Sequence, residues 1–247
     1  MDRTVFCTCA LFLAVPVVWG STCGSNASQD TLNYYAASGF SCTLDGLTFS
    51  DFSYMASAGL PADSSIVVTP VNDGTDIGFI FSGMFSSAAM EFSDALLSYT
   101  ITAVPGQTMT GDTVTLNKAS ASGNGAFAAV GEGICTGVQN GAGACLPAGN
   151  AYSLLAFDSG SGGGGMSSDS VSFATPATTQ TVMKNIVTEG GLGGSASVTE
   201  IENTTQVPGG GGNPGGGPVP EPGPLLTLGS GLIGLSMLIR RRIRKGL

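Results

Sequence analysis

The groups in this chain that could carry out chemistry are few, because histidine is absent. The 247-residue sequence holds 17 Asp and Glu, 8 Lys and Arg, and no His. Ser-His-Asp catalysis, Cys-His catalysis and most zinc sites are therefore excluded, and the commonest general base near neutral pH is missing. We predict a protein that is not an enzyme and that has no cofactor and no metal centre.

One pair of carboxylates is close enough in sequence to suggest hydrolysis. Glu91 and Asp94 stand three positions apart, and a carboxylate pair is the minimum requirement for glycoside hydrolysis. An acidic chain contains such pairs by chance, so an extracellular hydrolase is retained only as an alternative function.

Two loop segments have compositions that resemble ligand sites. Asn72–Asp76 could offer three oxygen ligands to Ca²⁺, but it lacks the spaced Glu that completes an EF-hand loop. An Asn-Asp-Gly turn between two strands explains this segment without a metal. Asp158–Gly165 is rich in glycine but has no Lys-Ser/Thr ending, so we predict a flexible loop rather than a phosphate site.

Six aromatic residues could stack on sugars if they were exposed. At strand spacing such residues more often belong to a core, and the lone Trp19 lies in the N-terminal segment. A carbohydrate- or Ca²⁺-binding surface module is therefore a second alternative. The six residues are Phe49, Phe52, Tyr54, Phe79, Phe81 and Phe85.

The charge distribution excludes nucleic acid as a partner. Between Ser21 and Pro218 the only basic residues are Lys118 and Lys184, against fifteen Asp and Glu, so the formal charge of this segment is −13. A phosphate backbone would be repelled, and no basic patch exists to release its counterions.

Strand signals recur along the middle of the chain and are separated by Gly, Pro, Asn or Asp clusters. Together they predict an all-β fold, an antiparallel sandwich or jelly roll of about ten strands. A single short helix is predicted over Gln29–Ala37, with Ser28 as its N-cap and Gly39 near its end. The predicted strands are Leu47–Tyr54, Ser65–Thr69, Ile77–Phe81, Ala95–Val104, Asp112–Asn117, Ala126–Glu132, Ser153–Phe157, Ser170–Ala174, Thr179–Thr188 and Ser195–Glu202.

The two ends of the chain differ in composition from the middle. Residues 1–20 are typical of a signal peptide: Arg3 precedes an apolar run, and small residues lead up to Ser21. We assign 21–207 to the ectodomain and 208–218 to a flexible Gly/Pro linker. Residues 219–247 then hold a short proline motif, an apolar span over Leu225–Ile239 that is predicted to be a transmembrane helix, and a basic end.

Four cysteines remain once the signal peptide is removed. An even number of cysteines in an exported chain predicts disulfides, with three possible connectivities. Proximity in sequence favours Cys23–Cys42 and Cys135–Cys145. A metal site built from all four thiolates is the rival, but no C-x-x-C pair is present.

The C-terminal segment resembles the PEP-CTERM sorting signal of exported bacterial proteins. The match rests on the order of the motif, the apolar span and the basic end; an ordinary tail anchor with a proline-rich stalk is the alternative. The resemblance implies processing near the motif by an exosortase, in a producer of exopolysaccharide. The residues concerned are Val219, Pro220, Glu221 and Pro222 for the motif and Arg240, Arg241, Arg242, Arg244 and Lys245 for the basic stop signal.

The ectodomain shows a looser resemblance to the same group. Leu32–Tyr35, Cys42 and the Thr-Phe-Ser-Asp-Phe-Ser-Tyr run at 48–54 are similar to a recurrent opening of PEP-CTERM ectodomains of unknown function. The resemblance implies no activity. We therefore expect a non-catalytic surface or extracellular-matrix protein that is held briefly at the membrane through its C-terminal helix and then released to the cell surface or its polysaccharide.

Overall fold

The computed structural model describes residues 21–24, 31–137, 145, 149–161 and 163–208. The predicted signal peptide, the linker after Pro208 and the sorting segment 219–247 lie outside these residues. Most of the described chain is β-strand, arranged in two sheets, as expected for a chain rich in Gly, Ser, Thr and Val with frequent turn residues.

The first sheet has seven strands. Its strands are antiparallel except for the outermost pair, which is parallel over two residues. In spatial order they are β1 (Ser21–Thr22), β2 (Ser41–Leu44), β3 (Leu47–Ala56), β6 (Phe92–Ala103), β11 (Thr179–Glu189), β8 (Phe127–Thr136) and β9 (Asn150–Ser159).

The second sheet has five strands, all antiparallel. The chain passes between the sheets several times, so that several pairs of consecutive strands lie in different sheets. In spatial order the strands are β10 (Ser168–Ala177), β7 (Met109–Asn124), β12 (Leu192–Gln206), β5 (Asp76–Ser87) and β4 (Val67–Asn72).

The core lies between the two inner faces. Alternate residues of β6 point inward, Ala95, Leu97, Tyr99 and Ile101 among them, and are buried, as the period of two in a strand requires. Aromatic rings fill one half of this space: the ring of Phe79 lies 4.7 Å from that of Phe49, edge to face.

A bulge in β3 changes which residues reach that core. The pairing of β3 with β6 shifts between Ser50 and Ser53, and Asp51 has a φ of 56°. A β-bulge adds one residue to the strand and so reverses the direction of the side chains after it. Phe52 is buried for this reason, although strict alternation from Phe49 would turn it outward.

The predicted sandwich is confirmed, and its elements differ in extent from the prediction. The helix α1 covers only Leu32–Tyr35, and its N-cap is Thr31; the predicted cap at Ser28 lies outside the described residues. The short strands β1 and β2 were not predicted, and Ser65 belongs to a 3-10 turn, Asp63–Ser65, rather than to a strand. Most strands also run longer than predicted, because pairing with neighbours extends them into polar sequence.

Both disulfides favoured by sequence proximity are present. Cys23 bonds to Cys42 in β2, and Cys135 in β8 bonds to Cys145. The four-thiolate metal site is therefore wrong, since all four sulfurs are used in pairs. Two disulfides indicate an exported or extracellular protein.

Helices contribute little to the described part of the chain. Within those residues no helix is both long and apolar enough to cross a membrane. The predicted span Leu225–Ile239 lies beyond them, so the transmembrane helix remains a prediction.

The second disulfide offers a test of the fold's stability. Substituting both Cys135→Ala and Cys145→Ala opens a loop with a sequence separation of 10. The free energy of unfolding should fall by about 2–3 kcal/mol, because the unfolded chain regains loop entropy. Urea unfolding monitored by circular dichroism would measure this change, and an unaltered midpoint would show that the bond does not constrain the chain.

Candidate functional site

Seven polar side chains lie together between the sheets, beside the aromatic half of the core. All seven are at most 2% exposed, which is unusual because a buried polar group is costly unless it is hydrogen-bonded. Four come from the seven-stranded sheet and three from the five-stranded sheet. They are Tyr99, Glu132, Gln180, Lys184, Asp112, Asn203 and Thr205.

An ion pair forms the centre of this buried polar cluster. Lys184 and Glu132 are directly opposite each other on β11 and β8, and the Lys184 ammonium donates to Oε2 of Glu132. Both side chains are fully buried. Their neighbours on the strands, Val182 and Ile186, are apolar, so each charge depends on the other for compensation.

Asn203 joins this ion pair to the opposite sheet. Its Nδ2 group donates to Oε1 of Glu132 at 3.2 Å and to Oδ1 of Asp112 at 2.5 Å. Its Oδ1 accepts a hydrogen bond from the hydroxyl of Tyr99. The two oxygens of Glu132 are thus shared between the Lys184 amine and the Asn203 amide.

Asp112 is held by three donors from β11 and β12. Its Oδ2 accepts from Gln180 at 2.6 Å and from Thr205 at 3.0 Å, and its Oδ1 accepts from Asn203. Burial, followed by the negative charge of Glu132, raises the pKa of Asp112 well above its ordinary value, although Lys184 and the Asn203 hydrogen bond act in the opposite direction. The raised pKa favours the protonated, uncharged form of this carboxyl group.

The network satisfies most of its polar atoms. Within the described structure, Oε1 of Gln180 has no hydrogen-bond partner. Burial and the charges of Glu132 and Asp112 raise the pKa of Tyr99 well above 10, which keeps its hydroxyl a donor. Because all seven side chains are buried, this cluster is positioned to act on its own members rather than on a substrate from solution.

Sequence reasoning missed this cluster, although one signal was present. Lys184 lies between Val182 and Ile186 in the series of inward-facing residues on its strand. Glu132 occupies the same kind of position between Val130 and Ile134. Charged residues at inward positions of apolar strands are rare unless they are paired. Their partners could not be identified from the sequence, because they lie on other strands far along the chain.

The predicted carboxylate pair is not assembled into a site. Glu91 accepts from the backbone N–H of Ala88 at 3.1 Å in the turn before β6. Asp94 lies exposed on β6, where its backbone N–H donates to Ser57. Glu91 lines a surface depression of which Asp94 is not part.

The Asn72–Asp76 segment forms the turn between β4 and β5. Asn72 Oδ1 accepts from the N–H of Gly74 at 3.1 Å, and Asp73 Oδ1 accepts from the N–H of Asp76 at 3.0 Å. The oxygens proposed for Ca²⁺ therefore bind the backbone of their own turn. No group of three or more potential metal ligands occurs in the described parts of the chain.

The glycine-rich segment begins inside a strand instead of in a loop. Asp158 belongs to β9, and its Oδ2 accepts from the N–H of Ala121 at 3.1 Å. Ser159 ends the strand and donates to the carbonyl of Gly164 at 2.5 Å. The segment thus connects β9 to β10 without assembling a phosphate site from the residues described.

The six candidate aromatics are part of the core. Five of them are buried: Phe49, Phe52, Phe79, Phe81 and Phe85. Tyr54 is half-buried and donates to the carbonyl of Pro61 at 3.0 Å; burial, with a smaller effect of Asp63, raises its pKa to about 12. These rings do not form a sugar-stacking surface.

A different aromatic residue lies on the surface. Phe92, at the start of β6, is 58% exposed, and it stands with Met90 and Leu192, which are 81% and 71% exposed. They line a depression of about 280 Å³ together with Glu91, Glu189 and Asn124. We call this the end depression, because three connections between the sheets meet there.

Close backbone packing shapes the end depression. Met90 N–H donates to the carbonyl of Gly191 at 2.7 Å. Gly191 has a φ of +58°, and a Cβ at this position would lie 2.4 Å from the carbonyl oxygen of Asn124. Only glycine fits there, so the contact holds the two turns together and leaves Phe92 facing solvent.

The sorting residues predicted from the sequence lie outside the described residues. These are the motif Val219–Pro222 and the basic stop signal at Arg240, Arg241, Arg242, Arg244 and Lys245. Their roles therefore remain predictions.

Comparisons with known proteins identify no family. No family model matches the chain, and no curated protein matches it. Among solved structures, the carbohydrate-binding module TmCBM61 in complex with β-1,4-galactotriose aligns with 63% of this chain and 88% of its own, at 10% identity and a TM-score of 0.28. The enzymatically active domain of bacteriophage CBA120 tailspike protein 4 aligns with 66% of this chain and 20% of its own, at 14% identity and a TM-score of 0.26. Similarities at these TM-scores carry no argument about fold or function.

The raised pKa of Asp112 predicts a pH dependence of stability. Because its pKa is raised in the folded state, its contribution is fully present below its unfolded value near 3.8 and is lost as the pH rises through the folded pKa. Asp112→Asn imitates the protonated carboxyl and removes this titration. Above about pH 4 the wild type should lose up to ~1.4 kcal/mol per pH unit relative to the variant.

Urea unfolding of both proteins from about pH 4 to about pH 8 would measure that difference. The carboxylates remote from Asp112 are common to both chains, so their contributions cancel in the comparison. Parallel stability curves would show that Asp112 titrates alike in the folded and unfolded states.

Proposed function

We propose that this chain is a non-catalytic, exported structural protein of the cell surface or extracellular matrix. The observation that carries this proposal is a two-sheet sandwich that contains two disulfides. Disulfides of this kind belong to oxidising, extracytoplasmic compartments. Such a domain is built to persist outside the cell.

The contacts made by the residues first considered for ligand binding support a non-catalytic role. The oxygens of Asn72 and Asp73 bind backbone N–H groups, as does Asp158. The aromatic rings first considered as ligand contacts are packed in the core or hydrogen-bonded to it. The buried polar cluster around Glu132 and Lys184 is closed to solvent.

The mode of delivery is proposed from the C-terminal residues. Pro220-Glu221-Pro222, the apolar span Leu225–Ile239 and the Arg240–Lys245 end resemble a PEP-CTERM signal. We propose that this segment holds the chain transiently at the membrane until an exosortase cuts near the motif. The Gly/Pro linker 208–218 separates that cut from the fold, and exopolysaccharide is the proposed surrounding of the released protein.

Processing can be tested on the released protein. Mass spectrometry of its C-terminal peptide should find no chain from Arg240 to Lys245. Alanine at Pro220, Glu221 and Pro222 together should keep the protein in the membrane fraction with its basic end intact. Pro214→Ala, in the linker, is the matched control and should be processed normally.

Recovery of Arg240–Lys245 on wild-type protein released from the cells would contradict exosortase processing. Wild-type protein that stays in the membrane fraction with this end intact would instead favour an ordinary tail anchor.

The end depression favours carbohydrate binding as a second candidate function. An exposed ring can stack on the apolar face of a sugar, while nearby carboxylates and amides bind its hydroxyls. Phe92, Glu91, Glu189 and Asn124 supply this combination on one surface. It differs from the site expected from the sequence, whose aromatics are in the core.

Phe92→Ala should weaken polysaccharide binding by about tenfold, the equivalent of ~1.4 kcal/mol, because the stacking surface is removed. Binding would be measured first on a glycan array and then by pull-down with the producer's exopolysaccharide. Val104→Ala is the matched control, since Val104 is an exposed apolar residue just beyond the opposite end of β6. Equal binding by wild type and both variants would remove this candidate.

A further inference from the structure

The buried polar cluster brings together a primary amine, a carboxamide and two carboxyl groups. Lys184 and Asn203 both contact Glu132, one through each carboxyl oxygen. The side chains are closed to solvent, so the chemistry available to them is chemistry with each other. The proposed delivery and surface functions do not require any such reaction.

We propose that Lys184 and Asn203 become joined in the folded protein by an isopeptide bond between Nζ and Cγ, with Glu132 as the group that transfers the protons. The bond would connect β11 of the seven-stranded sheet to β12 of the five-stranded sheet. It is an intramolecular modification, and the chain itself supplies every reacting group.

The first requirement is a nucleophile beside its base. An amine attacks carbon only when its nitrogen carries a lone pair. The ammonium of Lys184 already donates to Oε2 of Glu132, so transfer of one proton along this hydrogen bond frees the lone pair. Glu132 then holds the proton within reach of the reacting amide.

The second requirement is an activated electrophile. The carbonyl Oδ1 of Asn203 accepts from the hydroxyl of Tyr99, which stabilises the negative charge that develops on this oxygen when Nζ adds to Cγ. Its Nδ2 is bound by Glu132, Asp112 and the carbonyl of Thr113. The amide is therefore fixed in position before the reaction, which lowers the entropic cost of attack.

The third requirement is a leaving group. Glu132 returns its proton to Nδ2 through Oε1, the Cγ–Nδ2 bond breaks, and ammonia departs. The ammonium begins with three protons and the amide nitrogen with two. One of these five stays on the new amide, three leave with ammonia and the fifth remains on Glu132, so atoms and charge balance without an oxidant, a reductant or an added cofactor.

Asp112 has a positioning role in this scheme. Gln180 and Thr205 hold its carboxyl against Nδ2 of Asn203. When protonated it adds no further negative charge beside Glu132. The dry surroundings also keep water from competing with Nζ for the same carbon.

The sequence provides a direct test, because Lys118 and Lys184 are the only basic residues between Ser21 and Pro218. Trypsin does not cut after a lysine whose Nζ is acylated. On denatured, reduced full-length protein, we expect cleavage after Lys118 and none after Lys184. Lys118 is 66% exposed at its side chain and pairs with Glu200 on the surface, so it serves as the internal control.

The second arm locates the bond. A Glu-specific protease cuts at Glu189, Glu200 and Glu202, between the two residues. Tandem mass spectrometry should find the Lys184 and Asn203 peptides still joined, lighter than their sum by one ammonia. Succinimide formation at Asn124-Gly125 also releases ammonia but joins no peptides.

Glu132→Gln keeps the size of the side chain but cannot carry the proton, and it should restore tryptic cleavage after Lys184.

Glu200→Gln is the matched control for that variant, and its protein should remain cross-linked. Free Lys184 in folded wild-type protein would overturn the proposal, whatever the stability of the variants. A cross-linked pair lighter by one water would overturn the assignment of Asn203, because the electrophile would then be the carboxyl group of Asp112 or Glu132.

Discussion

The pairing of Lys184 with Glu132 constrains the centre of the sandwich. Two charges that face each other across β11 and β8 are stable in a dry interior only if every remaining donor and acceptor finds a partner. Asn203 donates to the second oxygen of Glu132, and Asp112 and Tyr99 in turn hold the amide of Asn203 in place. They come from both sheets, so the hydrogen bonds also constrain how the sheets face each other: a shift of either sheet along its strands would separate Oε1 of Glu132 from the Asn203 amide.

A second bulge makes this arrangement possible. The pairing of β12 with β5 shifts between Val198 and Glu200. Before the shift, Ala196 and Val198 point inward; after it, Ile201 and Asn203 do. Without this change of alternation, the inward positions after Val198 would fall to Glu200 and Glu202, and two more carboxylates would be buried between the sheets. The bulge instead leaves Glu200 outside, where it pairs with Lys118.

The groups that could react with each other are buried, whereas the groups that could contact a ligand are exposed. Reactive combinations of groups are enclosed between the sheets, and the end depression around Phe92 offers exposed apolar surface with carboxylates beside it. A domain with a stiff, closed interior suits a role in which it is held or cross-linked outside the cell. The end depression lies at the connections between strands, where loops commonly carry the variable part of a β-sandwich.

Local patterns were enough to predict much of this protein. Alternating polarity located ten of the strands, the absence of histidine excluded whole classes of catalysis, and proximity in sequence paired Cys23 with Cys42 and Cys135 with Cys145. Each of these properties depends on neighbouring residues or on composition alone. The direction of a side chain after a bulge does not, because it depends on the register with the next strand. Phe52 and Asn203 point inward for that reason, and Glu132 and Asn203, 71 positions apart, meet only when two sheets are stacked.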